Sequence, residues 1–219
     1  MQGERFNQLV EGAITSWREF FFQSFTALSV NGISGDYVEF GSLSGTTMWL
    51  AHEQIKLSGT PRHMWALDSF EGLPEPTGPK DDHPSFIPGV VGGGVAAFQE
   101  ACRGHDIPDE AYTTIEGFYE DTLPPLGDSG PPADVALAYV DCNLYSSTVT
   151  VMEFLRPRLK HGMIVAMDDY FCWSPTEVSG ERAALHEFEQ ANPEWHFHPF
   201  RDISWGGLSF VVERTDALG

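Results

Sequence analysis

The chain has 219 residues, 42% of them hydrophobic and 13% aromatic with 16 phenylalanines, which fills one core and excludes global disorder. Its 12 basic and 32 acidic residues give a formal net charge of −20, which repels a phosphate backbone and excludes nucleic acid as the substrate; the charge otherwise serves solubility. Cys102, Cys142 and Cys172 form no CxxC and leave one thiol unpaired, as expected in a reducing cytosol, and Cys142 reads as a small buried thiol at a strand end rather than a nucleophile. No run reaches about 18 apolar residues and no apolar leader opens the chain, so a soluble, cytoplasmic protein without a membrane partner is expected.

From Arg5 to Leu28 apolar residues recur every three and four positions (Phe6, Leu9, Val10, Ala13, Ile14, Trp17, Phe20, Phe21, Phe25, Leu28), which predicts a long helix with an aromatic face. That face suits either docking on the chain's own sheet or sharing with a second subunit. Asp36 to Phe40 reads as a strand, Gly41 to Gly45 as a glycine loop, and Thr46 to Leu57 as a helix, the order of a nucleotide-type cradle. His63 to Leu67 is a second strand ending at Asp68. The Pro-, Gly- and Asp-rich stretch that follows, about 70–94, reads as a lid. Val95 to Arg103 is helical, Tyr112 to Ile115 a strand, and Gly117 to Thr122 a short connection. A fourth strand runs from Val135 to Val140 and ends at Asp141, a helix spans about Ser146 to Leu159, and a fifth strand, Met163 to Met167, ends at Asp168-Asp169. Glu177 to Ala191 forms another helix, and Trp195 to Phe200 with Leu208 to Val212 form a closing hairpin. Strands alternating with helices and then a hairpin predict an α/β fold, a Rossmann-like class I methyltransferase layout. Its sheet is seven-stranded and mostly parallel with a terminal antiparallel hairpin, and residues 1–35 add an N-terminal helical extension to a main domain of 36–219.

Two apolar runs that each stop at carboxylates would bring Asp141, Asp168 and Asp169 to one crevice at the carboxyl ends of adjacent strands. Three acids so close need a cation between them, and oxygen ligands select Mg²⁺ first, then Mn²⁺ or Ca²⁺. Asp68 ends its strand about 20 residues past the glycine loop, where an acid receives ribose hydroxyls. That suits NAD as well as S-adenosylmethionine. GxGxxG is absent, and Glu39 at the head of the loop opposes a pyrophosphate but suits the ammonium of a methionine moiety. The candidate cofactor contacts are Glu39, Gly41, Ser42, Gly45, Thr46, Asp68, Ser69, Gly117, Phe118 and Asp141.

Five strings resemble the macrocin O-methyltransferase family in order: Val38-Glu39-Phe40-Gly41; Leu67-Asp68-Ser69-Phe70-Glu71-Gly72-Leu73-Pro74-Glu75-Pro76; Glu116-Gly117-Phe118-Tyr119-Glu120-Asp121-Thr122-Leu123-Pro124; Val140-Asp141-x-x-Leu144-Tyr145-Ser146-Ser147-Thr148; and Asp168-Asp169-Tyr170. The resemblance implies a Mg²⁺-dependent methylation of sugar hydroxyls, metal ligation by Asp141, Asp168 and Asp169, and S-adenosylmethionine contacts at Glu39, Gly41, Asp68 and Gly117-Phe118. It also implies a lid from Pro74 to Gly94 and a homodimer or larger homo-oligomer through the N-terminal helix. Two departures stand out: the family commonly has an acid at the position of Asn143, and the segment Met1 to Gly35 is short for it.

On this reading the cation lowers the pKa of a bound hydroxyl, Asp141 is ligand and proton acceptor, and Tyr145 and Tyr170 either orient the acceptor or pack as rings. His52, His83, His186 and His198 each have a plain role on a helix, loop or strand. A phosphotransferase using Asp141 as nucleophile lacks its second acid at Asn143 and a P-loop. A non-catalytic S-adenosylmethionine-binding module has little use for a metal cage. A catechol or phenol would chelate the ion as a sugar diol does, but Asp81, Asp82, His83 and Ser85 make the lid polar and favour a carbohydrate, either a glycosylated natural product or, given the short N-terminal segment, a free mono- or oligosaccharide.

Overall fold

The computed structural model describes residues 2–89 and 92–217. Met1, Val90, Val91, Leu218 and Gly219, which fall within the expected extension, lid and domain end, lie outside them, as do the side chains of Phe6, Leu9 and Val10. The chain forms α1 (Gln2–Val30), β1 (Asp36–Phe40), α2 (Thr46–Ser58), β2 (Met64–Asp68), α3 (Val95–Gly104), β3 (Tyr112–Glu116), α4 (Tyr119–Thr122), β4 (Val135–Val140), α5 (Tyr145–Leu155), β5 (Ile164–Met167), α6 (Gly180–Ala191), β6 (Trp195–Asp202) and β7 (Leu208–Arg214). The strands make one seven-stranded sheet in the order β3-β2-β1-β4-β5-β7-β6. β1 to β5 are parallel and β7 is antiparallel to both neighbours. This is the expected architecture, and it places the reversal of strand order between β1 and β4, where an open sheet binds ligands.

Helices cover both faces, as a buried parallel sheet requires. On one, Phe20, Phe21, Phe25 and Leu28 of α1 join Met48 and Leu50 of α2 and Phe98 of α3 over Tyr37 and Tyr139. The aromatic side of α1 is spent on its own sheet: Phe21 meets Tyr37 edge-on at 5.7 Å and Tyr139 at 5.4 Å, and Phe25 meets Tyr37 at 5.9 Å. On the other face Tyr119, Val151, Leu185 and Phe188 of α4 to α6 cover Val38, Val140, Val165 and Val212. No helix among the described residues is long and apolar enough to cross a membrane.

Two helices depart from expectation. α5 ends at Leu155 and tightens into a 3₁₀ turn, Arg156–Arg158, instead of running to Leu159, because Pro157 has no N–H to donate to an α-helical ladder. α6 begins at Gly180 rather than Glu177, after Gly180 takes a positive φ of 57° and the Ser179 hydroxyl turns back to accept the Ser174 N–H at 2.6 Å.

Candidate active site

The parallel ladder runs one residue past each strand. Gly41 N–H donates to Leu67 C=O at 2.9 Å, Asp141 N–H to Phe40 C=O at 2.8 Å, and Asp168 N–H to Val140 C=O at 2.9 Å. Gly41, Asp141 and Asp168 therefore stand side by side at the carboxyl ends of β1, β4 and β5. The approach is too close for any side chain at 41, since a Cβ there would lie 2.0 Å from the Asp141 carbonyl oxygen. Above this row opens a cavity of about 220 Å³, lined by Gly41, Asp68, Ser69, Gly117, Phe118 and Asp141 among others. Its rim is strained: Leu43 and Asn143, both lining it, and Phe70 beside it hold positive φ of 37°, 60° and 56°.

Of the sequence-predicted cofactor residues, those six line the cavity and the remaining four shape it from outside. Asp68 Oδ2 accepts the N–H groups of Ser42 and Leu43 at 2.8 and 2.9 Å, and its Oδ1 accepts that of Phe70 at 2.7 Å, so it ties the glycine loop to the start of the segment after β2. A carboxylate offers about four lone-pair sites, which leaves Asp68 capacity for a ligand hydroxyl. Gly45, at φ 72°, caps α2, and the Thr46 hydroxyl pairs with that of Ser44 at 3.1 Å. Glu39 differs from the expected contact residue: it is fully enclosed, does not line the cavity, and accepts hydrogen bonds from the Tyr37 hydroxyl and from Thr47 Oγ1 at 3.0 Å. Its position in β1 turns it toward α1 and α2, beneath the loop. Burial pushes its carboxyl up to about 7 against the pull of these two donors.

The acidic side is built otherwise. The Asp141 side chain accepts no hydrogen bond among the described residues, and burial, Asp168, Asp169, Glu181 and Glu39, in that order, push it well above the carboxylate range. Asp168 Oδ1 accepts from Tyr139 OH at 2.5 Å and from Trp17 Nε1 at 3.1 Å, which joins α1 to the site; burial raises its pKa and these donors lower it. Burial and then Asp168 raise Asp169 to about 7. Asn143, where the family commonly has an acid, donates its amide to Asp169 Oδ2 and spares the site a further negative charge. The cysteine is a poor nucleophile, because burial drives the Cys142 thiol far up.

Sequence reasoning missed Glu181. This fully buried carboxylate accepts the N–H groups of Cys142 at 3.2 Å, Asn143 at 3.3 Å and Asp169 at 3.0 Å, and so clasps the loops after β4 and β5 together. Burial and Asp169 raise its pKa well above normal. An acid in the first turn of a helix reads as a solvated dipole partner, so no local signal marks it. The expected metal trio, Asp141, Asp168 and Asp169, does not bring one ligand oxygen from each residue within 4.8 Å of the others. Among the described residues, only His196, His198 and Glu213, far from this site, bring three ligand atoms within 4.8 Å of one another.

The segment after β2, expected to form a lid, is fastened to the body. Asp81, expected to make its lining polar, is buried instead: its Oδ1 accepts the Ser146 N–H at 2.8 Å at the start of α5, and its Oδ2 accepts Thr77 N–H and Oγ1 at 2.7 and 2.9 Å. A carboxylate there satisfies an orphan helix donor and the dipole. Lys80 Nζ meets Glu187 at 2.5 Å, and Tyr145 OH donates to the same carboxylate at 2.7 Å. Tyr145 thus shares Glu187 with Lys80, and Tyr170 packs edge-on against Phe210 at 5.2 Å; neither lines the cavity. The same holds for His52, His83, His186 and His198.

The sheet order, the glycine loop and an acid at the end of β2 define an α/β fold of the S-adenosylmethionine-dependent methyltransferase type. Its solved counterparts include the O-methyltransferase NovP (TM-score 0.76, 24% identity, 91% of this chain and 80% of that one) and CalS11, calicheamicin methyltransferase (TM-score 0.67, 24% identity, 87% and 77%). TomG from Streptomyces achromogenes, solved in complex with SAM, matches at TM-score 0.55 and 11% identity over 93% of this chain and 89% of that one. The sequence pattern described as Macrocin-O-methyltransferase (TylF) matches residues 19–209, and the chain belongs to that family. Curated relatives include the 8-demethyl-8-(2,3-dimethoxy-alpha-L-rhamnosyl)-tetracenomycin-C 4'-O-methyltransferase of Streptomyces olivaceus, 29% identical over 72% of this chain and 59% of its own length. The Mycinamicin III 3''-O-methyltransferase of Micromonospora griseorubida is 27% identical over 72% of this chain and 61% of its own. The chain thus spans about 60% of the length of these relatives.

Proposed function

We propose that the protein is an S-adenosylmethionine-dependent O-methyltransferase acting on a sugar hydroxyl with the help of a divalent cation, Mg²⁺ first. One observation carries this reading: Asp141, without a donor of its own, belongs both to the cavity wall and to the acidic cluster, so the two meet at a single atom group. The donor set fits a hard cation, being oxygen-rich and held above its normal pKa by burial and, at Asp141 and Asp169, by neighbouring carboxylates as well, and Asp141, Asp168 and Asp169 are the residues that would hold it. Such an ion lowers the pKa of a hydroxyl bound to it.

The chain's own residues do the rest. Asp68 offers its remaining lone pairs to the ribose hydroxyls, while Gly41 and the Gly117-Phe118 backbone let the nucleoside approach closely. Ser42, Gly45, Thr46 and Ser69 set the loop around it, and Glu39 braces that loop from below as a positioning residue. Asp141 is placed to take the proton of the acceptor hydroxyl. Holding the two reactants in line contributes about 7 to 11 kcal/mol when geometry is fixed. Tyr145 and Tyr170 would reach an acceptor only through the lid and the loop after β5. The rhamnosyl-bearing substrate named for the Streptomyces olivaceus relative supports a glycosylated small molecule as acceptor.

Residues 1–35 are then an extension carried by the methyltransferase unit of 36–219. An assembly of two copies through the outer side of α1, where Phe22 is 52% exposed, and a cytoplasmic location, supported by three free buried cysteines, complete the proposal. The test is a panel of glycosides incubated with S-adenosylmethionine and read by mass spectrometry for a gain of one methyl, with EDTA and with Mg²⁺ restored. Methylation that EDTA abolishes and Mg²⁺ restores is expected. Cofactor binding without turnover on any glycoside would overturn the enzyme reading, and turnover indifferent to EDTA would overturn the cation.

A further inference from the structure

At the far edge of the sheet, away from the cleft, β6 and β7 carry three ligand-type side chains on one face. Ile164, the first residue of β5, pairs with Val211, and Val211 pairs with His198, which puts this region at the amino-terminal ends of the parallel strands. His196 and His198 are two apart on one strand and so project to the same side, and Glu213 lies directly across from His196 on β7. A ring nitrogen of each histidine and a carboxylate oxygen of Glu213 all lie within 4.8 Å of one another. The two rings stand 6.2 Å apart at 66°.

Two further observations make this more than proximity. His196 Nδ1 is 2.8 Å from Glu189 Oε1 on α6, and that oxygen also accepts the Phe197 N–H at 3.0 Å. The carboxylate therefore fixes the ring and leaves Nε2 as the nitrogen available to a ligand, the arrangement in which an outer carboxylate orients a metal-binding imidazole. Meanwhile neither the His198 ring nor the Glu213 carboxylate makes a hydrogen bond or ion pair among the described residues.

We propose that His196, His198 and Glu213 form a second metal site that takes a first-row transition ion of the Zn²⁺ class, with Glu189 as the residue that orients His196. Two imidazoles and one carboxylate suit Zn²⁺ and Co²⁺ and discriminate against Mg²⁺, which prefers oxygen alone. Three protein ligands leave a fourth tetrahedral position to water. Because the ligands come from two strands, the ion would pin the edge strand β6 to its hairpin partner β7.

The experiment uses the full chain, stripped of metal and kept in excess Mg²⁺ so that the acidic cleft does not compete. Co²⁺ is titrated first and read by its visible d–d absorption, then displaced by Zn²⁺. Wild type is expected to show intense, nitrogen-ligated bands at one Co²⁺ per chain. His198→Ala and Glu213→Gln are each expected to lose the bands and to weaken Zn²⁺ by more than about 10-fold, and Glu189→Gln by about 10- to 100-fold, as outer-shell partners do. All three positions are solvent-facing or half-buried, so the variants keep the fold. Absence of the bands in wild type, or Zn²⁺ affinity in His198→Ala and Glu213→Gln equal to wild type, overturns the site.

Discussion

On the β2 side of the cleft, Asp68 accepts three backbone N–H groups and holds two loops; on the β4–β5 side, Asp141 accepts none and leans on Asp168, Asp169 and Glu181. The first carboxylate is satisfied by the chain and contributes to folding whether or not a ligand is present. The second is left without a donor among its burying neighbours, so burial and the nearby acids penalise its charged form. The cofactor proposed above would thus meet a carboxylate the fold has already satisfied, and the proposed cation one it has not.

The largest expected break of this contrast is Asp141→Asn. Methyl transfer should fall by more than about 100-fold, beyond what outer partners of a ligand cost, while the metal-free protein gains about 1 kcal/mol because repulsion is relieved. Turnover by mass spectrometry and urea unfolding in EDTA measure the two effects, and a loss of stability would contradict the unpartnered state of Asp141. Glu181→Ala should cost about 3 kcal/mol, since the amides of Cys142, Asn143 and Asp169 lose their acceptor together. Asp68→Ala should cost about 2 kcal/mol for the same reason, and equally with or without Mg²⁺; a Mg²⁺-dependent cost would blur the two sides.

A pH series sharpens the comparison further. Glu39 is raised from 4.5 to about 7 by burial. A carboxyl whose folded pKa exceeds its unfolded one stabilises fully below the unfolded value and loses that contribution as pH climbs through the folded one. Wild type should therefore lose up to about 1.4 kcal/mol per pH unit from this group between about pH 4.5 and 7. Glu39→Gln removes that slope, and melting temperatures of the two proteins across this window should diverge in the variant's favour; parallel curves would show that Glu39 does not titrate there. The smallest effect belongs to Leu43→Gly, which relieves a positive φ of 37° at an exposed rim residue and should stabilise by at most about 1 kcal/mol in the same unfolding assay.

The strands were legible because each is a short apolar run ending at an acid, and the parallel ladder then fixes where Gly41, Asp141 and Asp168 fall. Helix ends were less so: Pro157 marks a stop that apolar spacing alone runs through. Glu181 and Asp81 were illegible for a shared reason. Both are acids in polar stretches whose burial comes from elements far along the chain, the loops after β4 and β5 for one and the first turn of α5 for the other. Glu39 shows the converse, a residue whose strand position is plain but whose enclosure follows from α1 and α2 closing over it. Asn143 carried its message in the sequence as a missing acid, yet its service as donor to Asp169 needed the fold.

The indole of Trp17 and the phenol of Tyr139 both end on one oxygen of Asp168. Those two donors favour the anion and oppose the burial that raises its pKa. The acids of the cleft are therefore not equivalent, and the cation proposed above would meet, just past the carboxyl end of β5, a carboxylate held in one orientation by two rings from different parts of the chain.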